Sequence, residues 1–479
     1  MKSIEKINNF TIEFESSSGR RYYYLTESGF ILQKTQIEHN TLRIKKLLEY
    51  ENQLNIESIR AFRHIKENEI KEYLFKNGFH ELLIEITTGC NLRCKYCVFS
   101  GNYKSQRVHG NKMLSIEDAK KAIDLYFSYI EVGKMYNPNR KPTVAFYGGE
   151  PLLNFEVIKE SITYIRKIYE GDVFFTLTTN GILLTDEMID FFIKEDVWLV
   201  FSLDGPAEEH NRNRIMQNGK GTFNIVFRNI KKYHDKSKKF VFVNSVYDYK
   251  SNLKEIIKFF SENKYLVNLS ASLVNPYDTL YYEQFTQNDY IRYKKMVDDL
   301  KKEFFNYLHQ TKIKDDTYIS LLNLFIGKPT LNIMMRKMCG ENNLRLIRFT
   351  GSCIPGEKIY VDINGNIRPC EKIGCGMNIG NIYNGINFKA IQRYLNEYNV
   401  IILNHCKNCK FKGICSYCFQ SFWKEQQFRY NSLQCNQMRS FIIDTLILYC
   451  DIMERNPRWF DVFTKDYYSN IDELAVTLK

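Results

Sequence analysis

The sequence predicts an α/β fold: a partial (β/α)6 barrel with an N-terminal α+β extension and a C-terminal cysteine-rich domain. Three observations carry this. Strand-like and helix-like stretches alternate about six times between residues 81 and 275. Polar or glycine-containing signals follow several of the strand-like runs. The 13 cysteines gather in a triplet near residue 90 and a dense set between Cys339 and Cys450.

Residues 1–80 open with short alternating runs, NFTIEFES, RRYYYLT and GFILQ, which predict two or three antiparallel strands turning at SSG and ESG. Helical spacing follows in NTLRIKKLLEYENQL and NIESIRAFRHIKENEIKEYLFKNG. Strands followed by helices mark a unit apart from the next one. From residue 81, six apolar runs read as strands: ELLIEITT, TVAFYGGE, VFFTLTTNG, VWLVFSLDG, KFVFVNSVY and LVNLSASLV. Between them lie helix-period stretches such as SIEDAKKAIDLYFSYIEVG, FEVIKESITYIRKIYE, TDEMIDFFIKED and TFNIVFRNIKKYHDKS. This alternation predicts a parallel sheet with crossover helices, in six units rather than eight. Parallel sheets build their sites at the strands' carboxyl ends, so Cys90, Gly148–Glu150, Asn180–Gly181 and Asp204–Gly205 are predicted to converge. Residues 251–338 are predicted mostly helical. From residue 339 the text is loop-rich, with few regular elements long enough to bury a core, so metal clusters are expected to stabilise it. The expected divisions are 1–80, 81–310, a helical bridge 311–338, 339–450 and a tail 451–479.

A chain of 479 residues with 44% hydrophobic and 25% charged residues reads as a soluble globular protein of two or three domains. The net charge of +12 permits an acidic partner, but the lysines are dispersed over many helix faces, as plain solvation requires. No clustered-arginine recognition helix and no aromatic–basic strip is legible, so no nucleic-acid partner is expected. The N-terminal run MKSIEKINNFTIEFESS lacks the apolar centre of a signal peptide, and no uninterrupted apolar stretch of roughly 18 residues is present. No membrane association and a cytoplasmic location are therefore expected, where close cysteines are metal ligands or redox groups more often than disulfides.

EITTGCNLRCKYCVFS holds Cys90, Cys94 and Cys97 in a C-x3-C-x2-C spacing. A closed structural metal site takes four ligands, so three thiols on one loop leave a coordination position open. A zinc knuckle completed by a distant residue is the plain alternative. The wider pattern decides between them. FYGGEP at Phe146–Pro151, TTNG at Thr178–Gly181, SLDGP at Ser202–Pro206 and DGPAEEHNRNR follow the triplet in order. Over residues 81–275 this combination resembles the radical S-adenosylmethionine (SAM) superfamily, and it implies a TIM-like partial barrel. The resemblance implies that Cys90, Cys94 and Cys97 hold a [4Fe–4S] cluster whose fourth iron chelates SAM. It implies that Gly148, Gly149 and Glu150 meet the amino group of SAM, that Ser202 and Arg214 serve its carboxylate or ribose, that Tyr96 packs near the adenine, and that Asn180 belongs to the same pocket. Arg212 stands equally near in sequence. The implied reaction is reductive cleavage of SAM to a 5′-deoxyadenosyl radical that takes a hydrogen atom from an unactivated C–H bond. A one-electron donor such as flavodoxin or ferredoxin is implied with it.

A second array begins at Cys353 in CIPGEKIYVDINGNIRPCEKIG and continues through Cys406, Cys409, Cys415 and Cys418 in CKNCKFKGICSYC to Cys435. It resembles the SPASM extension of radical SAM peptide-modifying enzymes, which carries two auxiliary [4Fe–4S] clusters. The resemblance implies Cys406, Cys409, Cys415 and Cys435 for one cluster. It implies Cys353, Cys370 and Cys418 for the other, with Cys339 as fourth ligand and Cys375 as its competitor. Cys450, in the apolar DTLILYCDIM, reads as a buried structural cysteine. Among family members the pattern resembles the sactipeptide synthases, peptide maturases that join a cysteine sulfur to carbon in a ribosomally made precursor peptide. Anaerobic sulfatase maturases, which make formylglycine, are the alternative, as are maturases making a carbon–carbon crosslink or an epimer. Sulfatase maturases usually carry Asp, a base, after the cysteine matching Cys370, whereas Glu371 stands here. The N-terminal unit is expected either to bind a leader peptide as an added strand or to be a packing extension of the barrel.

Overall fold

The computed structural model describes residues 11–35, 45–54 apart from 48, 64–276, 279–308, 317–336, 353–373 and 376–460. The six predicted barrel strands all form: β4 (Glu81–Thr87), β5 (Thr143–Gly148), β6 (Phe174–Thr179), β7 (Val197–Ser202), β8 (Val241–Tyr247) and β9 (Leu266–Leu273). They pair in parallel in sequence order, with Leu82 opposite Val144 and Leu177 opposite Leu199.

Crossover helices join them: α2 (Ile116–Lys134), α3 (Phe155–Ile168), α4 (Asp186–Lys194), then α5 (Ala207–Asn213) with α6 (Phe223–Ser237), and α7 (Leu253–Glu262). Local chemistry starts them where the sequence predicts. Ser115 caps α2 by accepting from Asp118 N at 3.1 Å, and Thr185 caps α4 through Met188 N at 3.3 Å. One strand face, with Leu82, Ile84 and Ile86, packs on the helices and is fully buried. The period of two turns Leu83 to the opposite face, where it meets Ala145, Tyr147 and Tyr360.

Helix α1 (Glu67–Asn77) is shorter than the predicted helical stretch, because Lys66 before it is extended. Residues 55–63 lie outside the described set. Past β9, α8 (Gln287–Leu308) precedes the expected bridge at 311–338, whose described part is helical from Thr317 to Met334.

The cysteine-rich region departs from expectation. It does not stand apart from the barrel: β10 (Lys358–Val361) adds to the free edge of β4 in parallel, with Tyr360 opposite Leu83. Strands β11 (Asn366–Arg368), β12 (Gly380–Asn381) and β13 (Gly385–Ile386) extend the sheet antiparallel to ten strands. Nor is it poor in regular structure. Helices α9 (Phe388–Cys406) and α10 (Ser432–Arg455) run 19 and 24 residues and bury Ile391, Tyr398, Ile402, Leu446 and Ile452. Apolar burial therefore stabilises this region independently of any metal.

The three N-terminal strands form as predicted: β1 (Thr11–Glu15), β2 (Arg21–Leu25) and β3 (Ile31–Gln33), antiparallel, with Phe14 opposite Tyr22. Their sheet packs on the cysteine-rich region. Ile12, Phe14 and Tyr24 share a core with Ile414, Ile442, Leu446 and Cys450, which is buried as predicted. Ser17 donates to Asp451 through both N (2.8 Å) and Oγ (2.6 Å). The β2–β3 turn grips the loop between Cys409 and Cys415: Thr26 Oγ1 donates to Lys410 O at 2.9 Å, and the buried Lys412 ammonium meets Glu27 at 2.6 Å.

Candidate active site

After β4 the chain turns into the cysteine loop. Two hydrogen bonds lash it to the segment following α5: Arg93 N donates to Ile215 O at 2.8 Å and Lys95 N to Asn213 O at 3.0 Å. Cys90, Cys94, Cys97, Tyr96, Gly148, Gly149, Glu150, Asn180, Ser202 and Arg214 line one cavity of about 200 Å³. The carboxyl ends of β4, β5, β6 and β7 thus converge as the parallel topology requires. Burial pushes the Cys90 thiol up to about 11 and the Cys94 thiol up to about 12, and raises Cys97, against the opposing pull of nearby arginines. A metal binding there must displace their protons.

The two glycines are there for contact. Gly148 sits at φ +143°, and a Cβ on it would lie 2.3 Å from Thr87 O. A Cβ on Gly149 would lie 2.0 Å from Gly89 O. Without side chains the strand ends close up, and Gly149 N and Glu150 N donate to Thr87 O (2.9 Å) and Gly89 O (2.8 Å). Glu150 is buried, which raises its carboxyl, while three donors hold it: Thr179 Oγ1 at 2.7 Å, Asn180 N at 2.7 Å and Leu152 N at 3.1 Å. These occupy three of about four lone-pair positions. Glu150 is thus a strut between β5 and β6 as well as a wall of the cavity. Asn180 Nδ2 donates to Asn91 Oδ1 at 2.8 Å, fixing the cysteine loop from the β6 side.

The structure separates the two arginines that the sequence left level. Arg212 points away, its guanidinium taken by Asp248 at 2.6 and 2.8 Å and by Glu209 and Ser251. Arg214 lines the cavity. Its Nε donates to Asp204 Oδ2 at 3.0 Å, its Nη1 lies 4.0 Å from Cys94 Sγ, and its guanidinium stands 5.4 Å from the Tyr96 ring centre. Tyr96 donates to the same Asp204 oxygen at 2.5 Å.

Asp204 converges on the site as predicted, but its part there, as partner of both Arg214 and Tyr96, was not read from the sequence. One group escaped the sequence reading altogether. His109 lines the cavity with its Nδ1 buried and without a hydrogen-bond partner. Burial, then Arg93 and Arg107, push its imidazole down to about 4, so it is neutral.

The second array falls into two groups. Cys406, Cys409, Cys415 and Cys435 line one pocket with His405, Tyr430 and Arg439, and Arg439 Nη2 lies 4.0 Å from Cys409 Sγ. Cys353 and Cys418 are near enough for their thiols to act on each other, and Cys370 for its charge to act on Cys418. Cys339 and Cys375 lie outside the described residues. Among the described residues, no three His, Cys, Asp or Glu side chains are arranged to hold a single metal ion. A four-iron cluster takes each thiolate on a separate iron, so its cysteines stand further apart than the ligands of one ion.

Residues 84–262 match the Radical SAM superfamily, and this part of the chain is a radical SAM domain. The chain is 23% identical over 353 residues to the cysteine-type anaerobic sulfatase-maturating enzyme of Clostridium novyi, covering 70% of this chain and 86% of that one. It is 23% identical over 389 residues to the radical SAM cyclopropyl synthase TigE of Paramaledivibacter caminithermalis, covering 78% of this chain and 74% of that one. In fold it resembles native anSMEcpe with bound AdoMet and Cp18Cys peptide, with a TM-score of 0.53 and 22% identity over 80% of this chain and 98% of that chain.

Radical SAM enzymes use a [4Fe–4S] cluster and SAM, and the cavity suits both. Three thiols supply the soft donors a cluster needs. The glycine cradle admits a ligand backbone-close, and the partnerless His109 Nδ1 offers it a hydrogen bond.

Proposed function

We propose that this chain is a radical SAM maturase of ribosomally made peptides that bonds a substrate cysteine sulfur to carbon. The observation that carries the radical chemistry is the single cavity shared by Cys90, Cys94, Cys97 and the glycine cradle. When bound there, the cluster and SAM supply a carbon radical able to take hydrogen from an unactivated C–H bond. The residues of the chain do the rest. Arg214, held by Asp204, offers a positive charge to a carboxylate or ribose; Tyr96 gives a ring face; Gly148 and Gly149 let the ligand approach the backbone; and the enclosing strands exclude water. The groups Cys406–Cys409–Cys415–Cys435 and Cys353–Cys370–Cys418 suit two auxiliary clusters, which would accept the electron left over when the sulfur–carbon bond forms.

Formylglycine formation is the second reading, favoured by the likeness to sulfatase-maturating enzymes. Against it stands Glu371. Its carboxylate lies 3.2 Å from the half-buried Lys358 ammonium, which also meets Glu81 at 3.1 Å. The ion pair turns this carboxylate toward Lys358 and so occupies the group the second reading would use.

The test is anaerobic turnover of reconstituted protein with SAM, a reductant and a small cysteine-rich peptide encoded beside the gene. Loss of two hydrogens per bond, with thiols no longer alkylated, supports the thioether. Deoxyadenosine with an aldehyde product on a sulfatase peptide contradicts it.

A further inference from the structure

The loop that carries the cysteine triplet is also a patch of one sign. Between Ile86 and Ser115 the chain holds Arg93, Lys95, Lys104, Arg107 and Lys112 and no acidic residue. Arg107 is turned inward onto Glu85, so it is spent inside. Arg93 braces the loop, its Nη1 donating to Cys90 O and Leu92 O at 2.7 Å each. Lys95 and Lys104 are exposed.

An open basin of about 340 Å³ lies on this surface, lined by Arg93, Cys94, Lys95, Ser100, Asn102, His109 and Gln284. Cys94 and His109 line both this outer basin and the inner cavity. The wall between solvent and the triplet's site is therefore only one residue thick at this point. Of the acids flanking Gln284, Asp289 is already paired with Lys250 and Arg292, and Glu283 is exposed.

Electron transfer falls steeply with distance, and encounter between charged proteins is steered by complementary fields. From this juxtaposition we infer that the basin is the docking face for an acidic one-electron carrier protein. The inference rests on the radical SAM reading. One electron leaves the carrier, which is oxidised by one equivalent. It is taken up by the group held at Cys90, Cys94 and Cys97, which is reduced by one. A flavodoxin hydroquinone anion becomes the neutral semiquinone in this step with no proton moved. Lys95 and Lys104 steer the carrier; neither lines the inner cavity.

The experiment compares the reconstituted parent protein with Lys95→Glu/Lys104→Glu, using reduced flavodoxin or dithionite to drive SAM cleavage. The control is Lys167→Glu/Lys264→Glu, two exposed lysines, one in the last turn of α3 and one just before β9, at the opposite end of the strands. The expected result is a loss of about tenfold in the flavodoxin-driven rate at low salt for the first variant alone. Its dithionite-driven rate stays at the parental value, and calorimetry shows a matching loss of affinity for oxidised flavodoxin. Added salt slows the parent with flavodoxin and leaves the variant flat. Equal flavodoxin-driven rates in parent and variant overturn the inference. So does a variant that modifies peptide more slowly with dithionite, which would make the basin a peptide site. No cleavage by the parent with dithionite sinks the radical SAM reading itself, a result distinct from either.

Discussion

Tyr96 Oη donates to Asp204 Oδ2 at 2.5 Å, and this carboxylate is the hinge of the site. The same oxygen accepts from Arg214 Nε at 3.0 Å, while Oδ1 accepts from Val246 N on β8 at 3.0 Å. Asp204 thereby joins the cysteine loop to the cavity arginine and to the strand beyond. All three side chains are buried, so the charges depend on each other. Asp204→Asn leaves the Arg214 guanidinium without its partner and is expected to destabilise the apoprotein by about 3 kcal/mol. Tyr96→Phe removes one hydrogen bond and is expected to cost about 1 kcal/mol. Urea denaturation of the pair checks the order.

The glycine cradle gives a prediction with a built-in control. Gly149→Ala drives a methyl into Gly89 O and is expected to cost at least about 2 kcal/mol and to lower SAM cleavage tenfold or more. Gly219 also has a positive φ, +79°, but nothing lies within 4 Å of its added Cβ. Gly219→Ala is expected to cost only about 1 kcal/mol and to leave cleavage intact. Equal losses from both would show that contact between the strand ends is not what the cradle is for.

Asp248 gives the pH signature. Burial raises its carboxyl, but Arg212, with Tyr281 Oη at 2.6 Å and Asn213 Nδ2 at 2.9 Å, outweighs that and holds it below the usual carboxylate range. A depressed carboxyl stabilises the fold fully above its unfolded value of about 3.9 and loses that stability as pH falls toward its lower folded value. The stability gap between parent and Asp248→Asn is therefore expected to be constant from pH 7 to about 5 and to shrink below about 4. Denaturation curves across that range read it directly.

The grip of the N-terminal hairpin on the second cysteine group is tested by Glu27→Gln. Lys412, 3% exposed, would keep its charge and lose the Glu27 carboxylate 2.6 Å away, while its bond to Lys407 O at 2.9 Å remains. A cost of about 3 kcal/mol is expected, together with lower iron content. SAM cleavage, which belongs to the other cavity, is expected to persist.

Much of this was legible in the sequence because the signals are local. Six apolar runs ending in polar turns give six parallel strands, and the triplet lies where the first one ends. Arg212 and Arg214 could not be told apart, since two residues of spacing around the end of a short helix decide which cavity each enters. Helix α9 was passed over, and α10 was read as helical only in DTLILYCDIM, because the cysteine spacing around them drew the reading toward loops, although FKAIQRYLNEYNVIILNHC carries a helical period. The docking of Thr26 on Lys410 has no local signature, for the partners lie 384 residues apart.

The most direct measurement is 5′-deoxyadenosine formation by the anaerobically reconstituted protein with SAM and dithionite, set beside Cys94→Ala. Deoxyadenosine from the parent and none from the variant, with iron lost from the variant, is the expected result. Cleavage retained without Cys94, or none in an iron-loaded parent, would contradict the assignment of this cavity to cluster and SAM.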